Sequence, residues 1–302
     1  MILKCRTESD ELLTLRSLNT RMTLTEKEKF HYSVLEKGFE GERKFDQLLE
    51  ILQEERYILN DLLLEVNNSY FQIDSLIISQ EAIYLLDVKN YQGDYYLDSD
   101  KLYSVTTDRE YKNPVTQLQR SATLFRQLLQ SLKRNFLVEA SVIFINPEFT
   151  LYQCPVDQPF IFPTQVNRFL KSLNQITSKL NDEQKKLAKK LISLHQPKNP
   201  FNRLPEYHYD HLQKGIYCKT CFSFAVSVKT DKFVCEKCGD LEKIPLGILR
   251  NVKEFMLLFP ERKITTQSIY DWCQVDLCKK TIYRTLKKNY TPCGNTRDTY
   301  YV

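Results

Sequence analysis

Two neighbouring runs of residues, 70–78 and 82–89, have the composition of β-strands and are apolar on both faces. Strand side chains alternate between the two faces of a sheet, so a run that is apolar on both faces belongs inside a sheet. Only three residues separate the two runs, which is a hairpin-length connection. The pair therefore predicts adjacent internal strands of a sheet that other elements must cover.

The flanking sequence predicts those covering elements. One helix is expected from about Gly38 to Glu54, and Asn113-Pro114 marks the start of another that ends near Arg134, with Asn as the N-cap. Further strands are expected at 95–103 and 137–145, and further helices at 164–173 and 181–194. The order predicts an α/β domain over residues 31–195, preceded by a helical lead-in over residues 1–30.

Charged side chains lie among these apolar positions. Glu42 follows the apolar stripe of the first helix, and strict alternation places Asp74 on a core face of its strand. Asp87 and Lys89 share one face of the next strand. Any one of them has an ordinary explanation, such as a carboxylate at the edge of the stripe with its head in water. Together they indicate a site, because buried carboxylates are costly unless something pairs with them.

Metal-assisted hydrolysis of phosphodiesters is the chemistry that this set suits. Clustered carboxylates raise one another's pKa, and a divalent cation reverses that effect. Mg²⁺ prefers carboxylate oxygens together with water and substrate phosphate, and Mn²⁺ could take its place. It would polarise the phosphate and activate a water, while Lys89 would orient that water or neutralise developing charge.

Four motifs occur in order: Gly38-Phe39-Glu40-Gly41-Glu42, Gln72-Ile73-Asp74, Asp87-Val88-Lys89-Asn90-Tyr91-Gln92-Gly93 and Asn113-Pro114-Val115-Thr116-Gln117. Together they resemble the nuclease-related domain, NERD, of the PD-(D/E)XK restriction-endonuclease-like superfamily. The resemblance implies a restriction-endonuclease-like mixed sheet flanked by helices, with Glu42, Asp74 and Asp87 as Mg²⁺ ligands and Lys89 as the catalytic lysine. Gln117 would be a supporting polar residue, although a role at the helix surface is an equal alternative. Family members usually carry Glu where this chain has Asp87.

A second cluster lies beyond residues 196–214, which contain three prolines and are expected to be a linker. Two Cys-x-x-Cys pairs, separated by 13 residues, predict a Cys₄ structural Zn²⁺ site in a zinc ribbon over residues 215–245. A redox role is the less favoured alternative. The four predicted zinc ligands are Cys218, Cys221, Cys235 and Cys238.

The positive charge is concentrated at the C-terminal end. Residues 246–302 hold ten Lys/Arg against five Asp/Glu, within a net charge of +5 for the chain. Helices at 264–275 and 279–288, followed by a hairpin or wing over 289–302, resemble a helix-turn-helix or winged-helix-like module. A solvated helix on a packing module would give the same pattern. The residues expected to contact nucleic-acid phosphates are Lys279, Lys280, Arg284, Lys287 and Lys288.

Other classes lack their signatures in the sequence. No Walker A motif, His-Glu-x-x-His pair or Gly-x-Ser-x-Gly elbow is present. The sequence also has no secretory signal and no run of about 18 apolar residues, so a cytoplasmic protein without a membrane span is expected. The leading hypothesis is a metal-dependent DNA nuclease, with RNA as an alternative substrate. Its rival is an inactive nuclease fold that binds DNA or acts as a scaffold. Oligomeric state stays open.

Overall fold

The computed structural model describes residues 1–53, 55–294 and 299–302. The helices, in chain order, are α1 (Asp10–Arg21), α2 (Glu26–Leu49), α3 (Pro114–Ser131), α4 (Pro163–Gln175), α5 (Asp182–Leu194), α6 (Ile244–Leu258), α7 (Thr266–Cys273) and α8 (Lys279–Asn289). The strands are β1 (Ile2–Lys4), β2 (Tyr57–Val66), β3 (Ser69–Ile78), β4 (Ala82–Lys89), β5 (Gly93–Asp98), β6 (Lys101–Ser104), β7 (Glu110–Tyr111), β8 (Leu137–Phe144), β9 (Phe149–Tyr152), β10 (Phe160–Ile161), β11 (Val226–Lys229), β12 (Lys232–Cys235), β13 (Leu241–Lys243), β14 (Pro292–Cys293) and β15 (Tyr300–Tyr301).

These elements form two compact units that interleave along the chain. The first unit contains Met1–Glu8 and Ser33–Phe201, and the second contains Ser9–Tyr32 and Asn202–Val302. No helix within the described ranges combines the length and the hydropathy needed to cross a membrane.

The first unit is built on a six-stranded mixed sheet in the order β1-β2-β3-β4-β8-β10. Strands β2, β3 and β4 pair antiparallel, whereas β1 with β2, β4 with β8 and β8 with β10 pair parallel. Apolar residues of α3 and α5 pack in the core on one face of the sheet, and those of α2 and α4 pack in a separate core on the other. The predicted mixed sheet flanked by helices is confirmed.

Several elements differ from the sequence prediction. The expected strand over 95–103 is instead a hairpin of β5 and β6. The hairpin turns at Ser99, which has a φ of 54°. It belongs to a separate four-stranded sheet in the order β7-β6-β5-β9. The lead-in is also not purely helical, because β1 joins the edge of the large sheet. Helix α2 begins earlier than expected and ends at Leu49, and the predicted end at Glu54 lies outside the described residues.

The second unit has one shared core for the cysteine module and the C-terminal helices. Leu18 of α1, Phe233 of β12, Phe255 of α6 and Trp272 of α7 are all buried in it. At the C-terminal end, where a hairpin or wing is expected over residues 289–302, β14 pairs antiparallel with β15, and Ile264 bridges to Tyr301. Residues 295–298 of that expected wing lie outside the described ranges. Residues 202–214, assigned to a linker from sequence, belong to this unit, where Leu212 is buried.

Candidate active site

Helix α2 carries Glu42 along its apolar side. Phe45 and Leu49, on the same side, are fully buried, while the Glu42 side chain is 21% exposed. One residue earlier, Gly41 allows close approach of the chain that follows β4, since a Cβ at Gly41 would lie 2.4 Å from the Cβ of Asn90. The glycine therefore sets how closely this part of α2 approaches the end of β4.

Strands β3 and β4 bring Asp74, Asp87 and Lys89 to the same region of the sheet. Oδ2 of Asp74 accepts a hydrogen bond of 2.8 Å from the backbone N–H of Val88, which lies between the other two residues. The ammonium of Lys89 lies 2.8 Å from Oδ2 of Asp87, and the Gln117 side-chain amide donates to Oδ1 of Asp87 at 3.2 Å. All three side chains predicted on the strands, and Gln117 on α3, thus meet around β4.

The sheet is irregular where it carries Asp74. Register pairs Asn60 with Ser75 and Leu62 with Ile73, so Asp61 of β2 lies across from Asp74. Asp61 has a φ of 54°, in the left-handed region that Asp tolerates better than most residues. Strict alternation consequently fails: Ile73 and Leu76 pack in the same core, although the sequence pattern placed them on opposite faces. Non-glycine residues in this conformation concentrate at functional sites.

The electrostatic environment of this site favours a bound cation. Burial, reinforced by the charge of Asp74, raises the pKa of Glu42 to about 8, although Arg6 and Lys89 oppose the rise. Burial likewise raises the pKa of Asp87 to about 6, with Lys89 lowering it and Asp74 raising it. Burial lowers the pKa of Lys89, but Asp87 and Asp74 outweigh this and hold it above its ordinary value. Glu42 and Asp87 each interact with the charge of Asp74, and carboxylates whose pKa values are raised by burial and by a neighbouring carboxylate are stabilised by added positive charge.

Arg6 is a residue of this site that the sequence analysis missed. Its guanidinium donates to Oε2 of Glu42 at 2.6 Å and forms a two-pronged pair with Asp46 at 3.0 and 3.1 Å. Arg6 lies 36 residues before Glu42 and follows a strand too short to show a pattern. No local signal in the sequence could have found it, because only the pairing of β1 with β2 brings it to α2.

The carboxylates have the right chemistry for a hard divalent cation, but they are not drawn tightly together. Glu42, Asp74 and Asp87 offer the oxygen ligands that Mg²⁺ prefers. Within the part of the chain that the structure describes, however, the cysteine set is the one group of three or more acidic, cysteine or histidine residues whose ligand atoms all lie within 4.8 Å. Arg6 and Lys89 instead each pair with one of the three acids, Glu42 and Asp87 respectively. The residues therefore fit a metal site by donor type, with two protein cations at its edges.

The four predicted cysteines converge in the second unit. Their sulfur atoms lie within 4.8 Å of one another, with 3.6 Å between Cys218 and Cys238 and 3.5 Å between Cys221 and Cys235. These separations are far longer than a disulfide bond and close to the ~3.8 Å between two thiolates on one tetrahedral zinc ion. Strands β11, β12 and β13 form the small sheet of this module. The cluster is consistent with a zinc ribbon.

Helix α8 presents its basic residues to solvent. Ile282 and Leu286 are fully buried, and Tyr283, on the solvent side, is 42% exposed. Lys279 contacts α7, donating to the side-chain oxygen of Gln267 at 2.7 Å. All five residues predicted to contact nucleic acid lie on the exposed side: Lys279, Lys280, Arg284, Lys287 and Lys288.

The fold and the site together define a class: an α/β domain whose acidic residues and lysine meet on two adjacent strands and a covering helix. Residues 37–145, about a third of the chain, match the family model of the nuclease-related domain, NERD. The match supports a nuclease-type enzyme that acts on nucleic acid. It includes Glu42, Asp74, Asp87, Lys89 and Gln117 but neither Arg6 nor the second unit. No curated protein and no solved structure matches the chain.

Proposed function

We propose that this protein is a divalent-metal-dependent nuclease that hydrolyses phosphodiester bonds in DNA. The observation that carries the proposal is the closeness of Asp74, Asp87 and Lys89 around β4, together with the electrostatic interaction of Asp74 with Glu42 on α2, all within the stretch that matches the nuclease-related domain. Glu42, Asp74 and Asp87 would hold Mg²⁺ or Mn²⁺, and the bound ion would polarise the scissile phosphate and activate water. RNA is the alternative substrate.

The residues of the chain would divide the remaining work. Lys89, held beside Asp87, is positioned to donate to a phosphate oxygen and to offset the negative charge that develops on it. Gln117 orients Asp87 through its 3.2 Å hydrogen bond, and the backbone of Val88 orients Asp74. These contacts would keep two of the three acidic ligands pointing at a common position before substrate arrives.

The second unit would contribute structure and localisation. A zinc ion on Cys218, Cys221, Cys235 and Cys238 would complete its own coordination shell and therefore stabilise the ribbon without taking part in catalysis. The exposed basic side chains of α8 would neutralise phosphates of a bound nucleic acid, which gives salt-sensitive and weakly sequence-dependent binding.

A second candidate function is an inactive nuclease fold that binds DNA or acts as a scaffold. Two salt bridges favour it, because Arg6 and Lys89 each engage an acidic residue that a metal ion would need. In that case the protein cations would replace the metal permanently.

Cleavage of circular and linear DNA by the purified full chain, with Mg²⁺, with Mn²⁺ and with EDTA, separates the two functions. We expect metal-dependent cutting that falls by about 100-fold or more in Lys89→Ala, the loss typical of removing a transition-state donor. Lys101→Ala is the matched control, since Lys101 is 58% exposed and pairs with Glu110 in the same unit.

Three outcomes would contradict parts of this assignment. Cutting at the wild-type rate by Lys89→Ala would refute the role of that lysine. DNA binding with no cutting in either metal would establish the scaffold function instead. Preferential cutting of RNA would replace the substrate while leaving the site assignment in place.

A further inference from the structure

Arg6 lies where the N-terminal segment of the chain meets the acidic site. Its side chain is only 3% exposed, and it belongs to the same compact unit as Glu42 and Asp74. A buried guanidinium must satisfy its donors, because an unpaired buried charge is strongly destabilising. The partners of Arg6 therefore indicate which groups the surrounding structure holds in place.

Those partners lie on the two elements that carry the first two predicted metal ligands. On α2, Arg6 pairs with Glu42 and Asp46, which are one helical turn apart. On β3, it donates to the backbone carbonyl oxygen of Asp74 at 2.8 Å and to Oγ of Ser75 at 3.2 Å. One rigid planar group thus links the helix that bears Glu42 to the strand that bears Asp74.

The segment that bears Arg6 is itself fastened to the sheet. Strand β1 pairs parallel with β2, and the Met1 ammonium donates to the carbonyl oxygen of Arg56 at 2.6 Å. Lys4 donates to the backbone oxygens of Asn60 and Asp61, at 2.9 and 2.6 Å. Displacing Arg6 would require breaking these contacts together, so Arg6 is a fixed part of the folded unit.

The contact with Glu42 is single, whereas the contact with Asp46 is double. NH1 of Arg6 is the one guanidinium atom that donates to Glu42, and it reaches Oε2. The fork on Asp46 uses the other two nitrogens. Asp46, which is not a predicted metal ligand, therefore anchors the guanidinium, and the anchored group fixes the direction of the Glu42 carboxylate.

We propose that Arg6 is a positioning residue for the divalent-metal site, which holds Glu42 in its ligand orientation and sets the spacing between α2 and β3. This inference rests on the proposed metal-dependent function and adds a residue outside the stretch that matches the nuclease-related domain. Lysine cannot replace it, because an ammonium lacks the planar fork that reaches α2 and β3 at once.

Direct Mn²⁺ binding to the full, zinc-loaded chain, measured by titration calorimetry without DNA, tests the role independently of catalysis. Removal of a group that orients a metal ligand costs roughly 10- to 100-fold in metal affinity, so we expect Arg6→Lys to raise the Kd for Mn²⁺ by about tenfold or more. Arg6→Ala should bind Mn²⁺ as weakly as Arg6→Lys does. Its affinity for Mn²⁺ should recover when a few millimolar guanidinium is added, because free guanidinium can occupy the space of the missing side chain.

Two further variants separate positioning from stability. Lys44→Gln removes a positive charge from α2 without touching Glu42, since Lys44 is 49% exposed and pairs with Glu40, and its Mn²⁺ affinity should match that of the wild type. Asp46→Asn keeps Arg6 but weakens its anchor, so its Mn²⁺ affinity should fall between those of the wild type and Arg6→Lys. This variant carries the test if the Arg6 substitutions fail to fold.

If the wild type binds Mn²⁺ and Arg6→Lys binds it equally or more tightly, the positioning role of Arg6 is refuted while the proposed metal-dependent function stands. Tighter binding would make Arg6 a competitor of the metal ion. Absence of Mn²⁺ binding by the wild type would overturn the proposed function, and this inference with it.

Discussion

The raised pKa of the Glu42 carboxyl has a cost in the stability of the folded protein. Its helix buries Phe45 and Leu49 completely, yet the same side of the helix retains a carboxylate close to Asp74. Because the pKa of Glu42 is raised, ionising its carboxyl costs extra free energy in the folded state, about 1.4 kcal/mol for every tenfold weakening of its acidity. In the proposed function, a divalent cation bound beside Glu42 would relieve this cost.

Glu42→Gln should therefore stabilise the metal-free protein in a pH-dependent manner. The pKa rises from 4.5 to about 8 on folding, so the wild type incurs no penalty below pH 4.5, an increasing one as the pH rises, and the full penalty above pH 8. We expect the variant to be more stable by on the order of 2–4 kcal/mol at pH 9 and by little at pH 5. Thermal unfolding at both pH values, in buffer without divalent cations, measures the difference.

Glu40→Gln is the matched control for this prediction. Glu40 lies on the same helix, and its side chain is 60% exposed and pairs with Lys44. The substitution should leave stability nearly unchanged at both pH values. An advantage of Glu42→Gln that is equal at pH 5 and pH 9 would refute the burial of an ionised Glu42 as its cause.

The residues of the site differ in how far sequence could predict them. Glu42, Asp74, Asp87 and Lys89 depart from local apolar patterns, so each leaves a signal within a few residues of itself. Gln117 was expected only as a supporting residue, and it does contact Asp87. Arg6 leaves no such signal, because its role depends on a pairing between strands about 55 residues apart in sequence. Local patterns thus indicate the acidic residues and the lysine of the site better than the buried arginine that contacts them.

At the scale of elements, helix α2 and the chain after β4 fit together through one glycine. A Cβ at Gly41 would meet the Asn90 side chain at 2.4 Å and Ile145 at 3.2 Å, while a Cβ at Gly38, one turn earlier, would meet nothing within 4 Å. Both glycines cost helix propensity. Only Gly41 gains a packing contact in return.

The two glycines should respond oppositely to alanine. Gly38→Ala should raise the free energy of unfolding by about 0.5–1 kcal/mol, because it reduces the backbone entropy lost on folding. Gly41→Ala should lower it by about 1–3 kcal/mol, the usual cost of overpacking, and should displace Asn90 beside Lys89. Urea unfolding of the two variants gives the comparison. Similar effects of the same sign would show that the close approach at Gly41 does not matter.

Elements with uniform patterns were predicted better than those with interrupted ones. Strand β4, apolar from Ala82 to Leu86, has the predicted bounds, and the side chain of Asn113 caps α3 by accepting a hydrogen bond from the N–H of Val115. Strand β2 went unpredicted, since Asn60-Asp61 interrupts its apolar run as a turn would. The hairpin of β5 and β6 was predicted as one strand because its turn at Ser99 contains no glycine or proline.

At the scale of the whole molecule, the positive charge and the acidic site belong to different units. Helix α8 carries the predicted phosphate contacts in the second unit, while the carboxylates lie in the first. The sequence indicated both the basic residues of α8, through the local excess of positive charge, and the carboxylates of the first unit, through their position among apolar residues. They did not indicate that the N-terminal 32 residues are shared between the units, because the contacts that assign them are distant in sequence.

Replacing Lys280, Arg284 and Lys287 of α8 with glutamine should weaken DNA binding and reduce its salt dependence. The slope of log K against log salt concentration should become shallower by about 0.9 for each phosphate contact removed. Fluorescence anisotropy with labelled duplex DNA over a range of salt concentrations measures this slope. The control replaces Lys185, Lys186 and Lys189, which are exposed on α5. Equal losses in the two triple variants would mean that net charge, rather than α8, governs binding.

The burial of Arg21 has a consequence for synthesis of the chain. Arg21 of α1 is fully buried and pairs with Glu254, which lies 233 residues later. A ribosome adds about 5–20 residues per second, so α1 leaves the exit tunnel on the order of 10–50 seconds before its partner exists. During that interval its apolar side and its arginine lack the core that finally encloses them. The second unit therefore completes its core only after α6, α7 and α8 have been synthesised, whereas all the residues of the first unit have been synthesised by Phe201.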